Sequence, residues 1–259
     1  MREDINKIEE LLERCLPSEN IVYNDIRSFV LSNSKRIRSK LALLYLKANN
    51  REITDDIYKI LMSGELVHNA SLLHDDIIDN NDVRRGETTI GKKYSSKMSI
   101  IAGDYLLSIA VKNLLSIDNS EILNKFLICT QKMSKAEIKQ FENRGKKHPL
   151  EEYLEICRGK TAALFSAILE SSASICNLPQ ENAKKLGEVF GILFQIKNDI
   201  SPSSRENDKK NGVFTVCDIL SVEKTNNLID NYKEEILSII SKYPNEEYKQ
   251  GIEDIINSL

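Results

Sequence analysis

The spacing of apolar residues is helical almost throughout the chain. In residues 3–16, Ile5, Ile8, Leu11, Leu12 and Cys15 fall on one stripe, and 36–49 carries Leu41, Leu43, Leu44 and Leu46. A further helix is predicted over 20–32. From Thr54 to about Asn80 the pattern does not break, and Thr54 is placed to cap a helix whose first turn holds Asp55 and Asp56. Helices are also predicted over 96–115, 119–143, 149–175, 180–200, 213–221, 224–242 and 246–258. Breaks fall at Asn80-Asn81-Asp82, Arg84-Arg85-Gly86, Gly145 to Pro149, Leu178-Pro179 and Ser201-Pro202. No repeat or linker interrupts the series, so the reading is one all-α domain over 1–259.

Composition sharpens this picture. Only 10 Gly and 5 Pro stand in 259 residues, which suits long helices and disfavours sandwiches and barrels. A net charge of −3 gives no basic field, so no nucleic-acid partner is expected. The cysteines, Cys15, Cys129, Cys157, Cys176 and Cys217, form no CxxC pair, which fits a reducing cytoplasm. The N-terminus has no signal-like apolar run. The longest uncharged stretch, Ser171 to Gln180, is ten residues, so no membrane span is expected.

Chemistry concentrates at Leu72-Leu73-His74-Asp75-Asp76-Ile77-Ile78-Asp79. Asp75 and Asp79 share a helix face, where like charges repel unless a cation lies between them. Hard carboxylates at that spacing suit Mg²⁺, which completes its shell with water and substrate phosphates. A solvated helix end would explain the acids alone. Yet Arg84-Arg85-Gly86 follows directly, and Lys35-Arg36-Ile37-Arg38 lies upstream. Adjacent guanidiniums favour a bridging anion, and together the clusters point to a metal–diphosphate site.

The segments SKRIRS (34–39), ELVHNASLLHDDIIDNNDVRRG (65–86), AGDYLL (102–107), EYLEICRGKTAALF (152–165) and GILFQIKND (191–199) together resemble the trans-isoprenyl (polyprenyl) diphosphate synthase family. The resemblance implies an all-α isoprenoid-synthase bundle around a central cavity, usually a homodimer. It implies condensation of isopentenyl diphosphate with an allylic diphosphate. Asp75 and Asp79 would ligate Mg²⁺, supported by Asp76, and Arg84 would bind the allylic diphosphate. Lys35, Arg38, His68 and Arg85 would bind the diphosphate of isopentenyl diphosphate. Lys160, Thr161 and Gln195 would contact the diphosphate and the developing cation.

The second acidic motif departs from the family pattern. It reads Asn198-Asp199-Ile200-Ser201-Pro202, leaving Asp199 as its one charged metal ligand, followed by a short loop over 203–211. A non-catalytic partner subunit and a terpene cyclase are therefore rival readings. The cyclase metal motif wants Ser or Thr where Pro202 stands, and a cyclase needs no isopentenyl diphosphate site. Product length is read from helix geometry. Gly64, Val67 and Ser71 fall on the Asp75 stripe, and Gly64 lies ~16 Å along the axis from Asp75. In the family a bulky aromatic at the place of Ala70 or Ser71 stops growth at fifteen carbons. Both are small here, so a product of twenty carbons or more is expected.

Overall fold

The computed structural model describes every residue except Asn33, and the side chain of Ser203 is likewise set aside. The chain forms two compact units, residues 1–43 with 53–123 and residues 44–52 with 124–259.

In the first unit, α1 (Arg2–Cys15), α2 (Ile21–Leu31) and α4 (Asp55–Ile78) pack with α6 (Ser96–Leu115). Asn20 caps α2 by accepting from the N–H groups of Val22 and Tyr23, and Thr54 caps α4 by accepting from Ile57 N–H. Between α4 and α6 lie a two-stranded hairpin, β1 (Val83–Arg84) and β2 (Glu87–Thr88), and a short helix, α5 (Ile90–Lys93). The hairpin turn is Arg85-Gly86, with φ of +52° and +84°, the left-handed pair that matches strand twist in a two-residue turn.

Helix α6 is 20 residues long and of mean hydropathy 1.3, enough by length and composition to cross a bilayer. Scattered charges keep its uncharged runs short without lowering its mean hydropathy. It is nevertheless tied to α4. Ser99 Oγ donates to Leu73 O at 2.9 Å, Asn113 donates to Ser63 Oγ at 2.6 Å, and Ser63 Oγ donates to Ala110 O at 3.4 Å.

Helices α3 (Ile37–Ala48) and α7 (Ser120–Glu142) contribute to both units. The second unit continues with α8 (Leu150–Cys157), a π-helical turn (Arg158–Ala162), α9 (Ala163–Ile175) and α10 (Gln180–Asp199). The stretch 149–175, expected as one helix, is therefore interrupted. A Cβ on Gly191 would lie 2.4 Å from Ala162 Cα, and one on Gly187 2.6 Å from Ser166 Cα, so these glycines let α10 lie close against the π turn and α9. Phe165 meets Phe190 and Phe194 in this interface, with ring centroids 5.2 and 5.6 Å apart.

Most of the segment 203–211, expected as a loop, belongs instead to α11 (Pro202–Lys210), which Asn211 ends, with Pro202 in the first turn, where a missing N–H costs no helix bond. Two further helices, α13 (Val222–Ile240) and α14 (Glu246–Ser258), follow the one-turn α12 (Val216–Ile219).

Candidate active site

Helix α4 carries the first acidic motif at its C-terminal end. Asp79 is the residue just past the helix, and its N–H still bonds Asp75 O at 2.8 Å, so the two carboxylates keep helical spacing. Asp75 and Asp79 are both partly exposed, whereas Asp76 is buried. Asp76 turns to the hairpin. Its Oδ1 accepts from Arg84 Nε at 2.7 Å and from Asn81 Nδ2 at 3.4 Å. Burial raises the Asp76 pKa against the lowering pull of Arg84. The expected support from Asp76 thus takes the form of a clamp on Arg84, using Nε alone.

His68 is half-buried, and four arginines act on it electrostatically. Burial, then Arg38, Arg85, Arg84 and Arg36 in that order, push its pKa well below the ordinary histidine value, leaving a neutral imidazole. Arg85 is held by Nη1 to Ser32 O at 3.3 Å. Arg36 is the inward member of the upstream cluster. It is 2% exposed, and it donates to Glu65 Oε2 at 3.1 Å and to Val30 O at 2.9 Å. Glu65 also accepts from Ser39 Oγ at 2.7 Å. The outer members differ: Lys35 is exposed, and Arg38 is partly buried. An acid in the apolar run before His68 signals a buried cation partner, and Glu65 is the clue that Arg36 holds the scaffold.

The residues expected to set product length divide between two faces of α4. Ser71 is partly exposed, and its Oγ donates to His68 O at 2.8 Å. Ala70 is fully buried and falls, with Val67, on the stripe of Ser63 and His74 that meets α6. The His74 ring packs where a Cβ on Gly103 would be, 2.2 Å from Nε2. Gly64, also buried, stays on the Asp75 stripe.

In the second unit, the π turn sets Lys160 and Thr161 in place, a device that often marks functional sites. Lys160 Nζ pairs with Glu137 Oε2 at 2.6 Å. Thr161 Oγ1 donates to Gln195 Oε1 at 2.5 Å, and Gln195 Nε2 donates to Asp199 Oδ1 at 2.6 Å. Tyr153 OH donates to the other Asp199 oxygen at 2.7 Å. Asp199 is only 4% exposed, and burial pushes its pKa up to about 7. Both oxygens of this expected metal ligand are therefore hydrogen-bonded, while Asn198 is exposed. Tyr153 and Glu137 were not foreseen from the sequence. Tyr153 is 46 residues from its partner Asp199, a separation that no helical period signals.

Among the described residues no three Asp, Glu, His or Cys side chains gather into a metal cage. Asp75 and Asp79 do fit a magnesium ion that is shared with substrate phosphates and keeps its waters.

A sequence model of the polyprenyl synthetase family matches residues 19–255. The chain belongs to that family. Its relatives include the short chain isoprenyl diphosphate synthase of Methanocaldococcus jannaschii, 30% identical over 96% of this chain and 80% of that protein. Component 2 of the heptaprenyl diphosphate synthase of Geobacillus stearothermophilus is 31% identical over 77% of this chain, but the match spans only 64% of that relative's length. The crystal structure of a geranyltranstransferase from Thermotoga maritima superimposes with a TM-score of 0.86 at 26% identity, covering 100% of this chain and 99% of that one. The fold is the all-α isoprenoid-synthase fold.

Proposed function

We propose that this synthase family member condenses isopentenyl diphosphate with an allylic diphosphate, using Mg²⁺, to make a trans-polyprenyl diphosphate of twenty carbons or more. The observation that carries the reading is the gathering, in one unit, of the α4 carboxylates and the arginines around a neutral His68. We read 1–259 as one synthase domain, supported by a family match that runs through both units.

Asp75 and Asp79 would hold the Mg²⁺, which when bound neutralises charge on the departing diphosphate. Arg84, fixed through Nε by Asp76, orients the allylic diphosphate with its remaining N–H groups. Lys35, Arg38 and Arg85 hold the diphosphate of isopentenyl diphosphate. His68, kept neutral, adds a hydrogen bond without adding charge. As the allylic C–O bond breaks, the alkene attacks the cation, and a proton then leaves, to the released diphosphate in our reading. Within the second unit, Gln195 is oriented by Thr161 and Asp199, and Lys160 is held by Glu137, which fixes a dipole and a charge suited to a diphosphate and a developing cation.

We also propose a homodimer in the cytoplasm. Ile100, Ile101 and Leu115 of α6 are 46, 59 and 64% exposed, an apolar surface suited to a second copy. All five cysteines are free. The second reading, a partner subunit of another synthase, is favoured by one feature, the exposed Asn198 where the family pattern has an acid. Steady-state kinetics of Asp75→Ala decide whether the carboxylates act as proposed. We expect condensation to fall at least a hundredfold with the fold intact; unchanged kinetics would contradict the proposal.

A further inference from the structure

The second unit has a groove of about 530 Å³, distinct from the polar chain of Thr161, Gln195 and Asp199. Its apolar lining includes Ile128, Ile156, Ala162 and Ala167. Its cationic rim is built mainly on α7, where Lys125, Lys132, Lys135 and Lys139 recur at helical spacing. Each of the three acids in the lining is committed to another base. Glu170 faces Lys125 at 3.9 Å, Glu155 faces Lys139 at 2.5 Å, and Glu188 faces Arg158 at 3.6 Å. Lys132, Lys135 and Lys184 are left without an acidic partner among the described residues. Lys132 and Lys135 share a face, so each raises the cost of the other.

We infer that this groove is a second, non-substrate site for an isoprenoid diphosphate, an inference that rests on the proposed function for its supply of that ligand. A carboxylate head would offset one of the three lysines, whereas a diphosphate matches the set. The apolar lining takes the hydrocarbon chain out of water, and the volume lies in the range of small-molecule sites. Occupancy would report product level at a place that holds none of the proposed catalytic residues.

The chain contains no tryptophan, so Ile128→Trp places a single emitter on the groove at a position 42% exposed. The probe is geranylgeranyl thiolodiphosphate, which resists ionisation. The expected result is a saturable change in emission, weakened at least tenfold by Lys132→Ala/Lys135→Ala/Lys184→Ala in the same background. Lys132→Gln alone, a milder variant, should weaken it about threefold. An absent or non-saturable change, or equal affinity in the lysine variants, overturns the inference. So does equally tight binding of palmitate, which carries one charge. Condensation rates of the same proteins read the catalytic site separately. Lost catalysis with an intact emission signal counts against the proposed function, and the reverse pattern against the groove.

Discussion

His68 shows how residue-scale chemistry was half legible. Its place seven residues before Asp75 was visible in the sequence; the burial that chiefly keeps it neutral, and the four guanidiniums that add to it, come from the fold. Its folded pKa is lowered, so below about 6.5 the unfolded chain takes up a proton that the native state refuses. Stability contributed by this group is therefore complete above that pH and falls as the pH drops through it. Denaturant unfolding of the wild type and His68→Gln at pH 7.5 and 5.5 should show the smaller acid-induced loss in the variant; parallel losses would contradict the neutral imidazole. Tyr153 was illegible because its partner Asp199 is 46 residues away. Tyr153→Phe leaves a buried carboxylate oxygen unpaired, at a cost of ~1–3 kcal/mol. Thermal unfolding should show a drop in Tm of several degrees, and an unchanged Tm would mean that water replaces the hydroxyl.

At the scale of elements, the long helices were read to within a residue or two because apolar period and capping agree, as at Thr54 and α4. Short α5 was not foreseen, the helix expected over 213–221 is only the one-turn α12, and three further features were missed. The π turn keeps a helical apolar pattern while shifting register, α11 is too polar to show a stripe, and the Arg85-Gly86 hairpin is too short to show alternation. Direction around a helix was the other loss. Ala70 and Ser71 are adjacent in sequence, yet Ala70 lies on the α6-facing stripe while Ser71 lies beside His68 and toward the Asp75 face. The two phenylalanine variants should therefore part company. Ser71→Phe is expected to shift products toward fifteen carbons in a folded enzyme. Ala70→Phe is expected to lose ~1–3 kcal/mol of stability by overpacking. Product chromatography and denaturation midpoints check both; identical behaviour of the two variants would contradict this assignment of faces.

For the molecule as a whole, the family match extends from residue 19 to 255, and the segments that announce it are distributed through both units. Much of the fold and the acidic and basic clusters were thus open to reading. The altered second motif had meaning only through its partners: Asp199 is engaged by Tyr153 and Gln195, and Asn198 faces outward. Whether these changes leave the chain catalytic by itself is the central claim. The most direct measurement is incubation of the pure protein with Mg²⁺, isopentenyl diphosphate and each allylic primer in turn, followed by product analysis. The account predicts Mg²⁺-dependent formation of a linear trans-polyprenyl diphosphate of twenty carbons or more by this chain alone. Diphosphate binding without product from any primer, or a cyclic hydrocarbon released from the allylic substrate by itself, would contradict it.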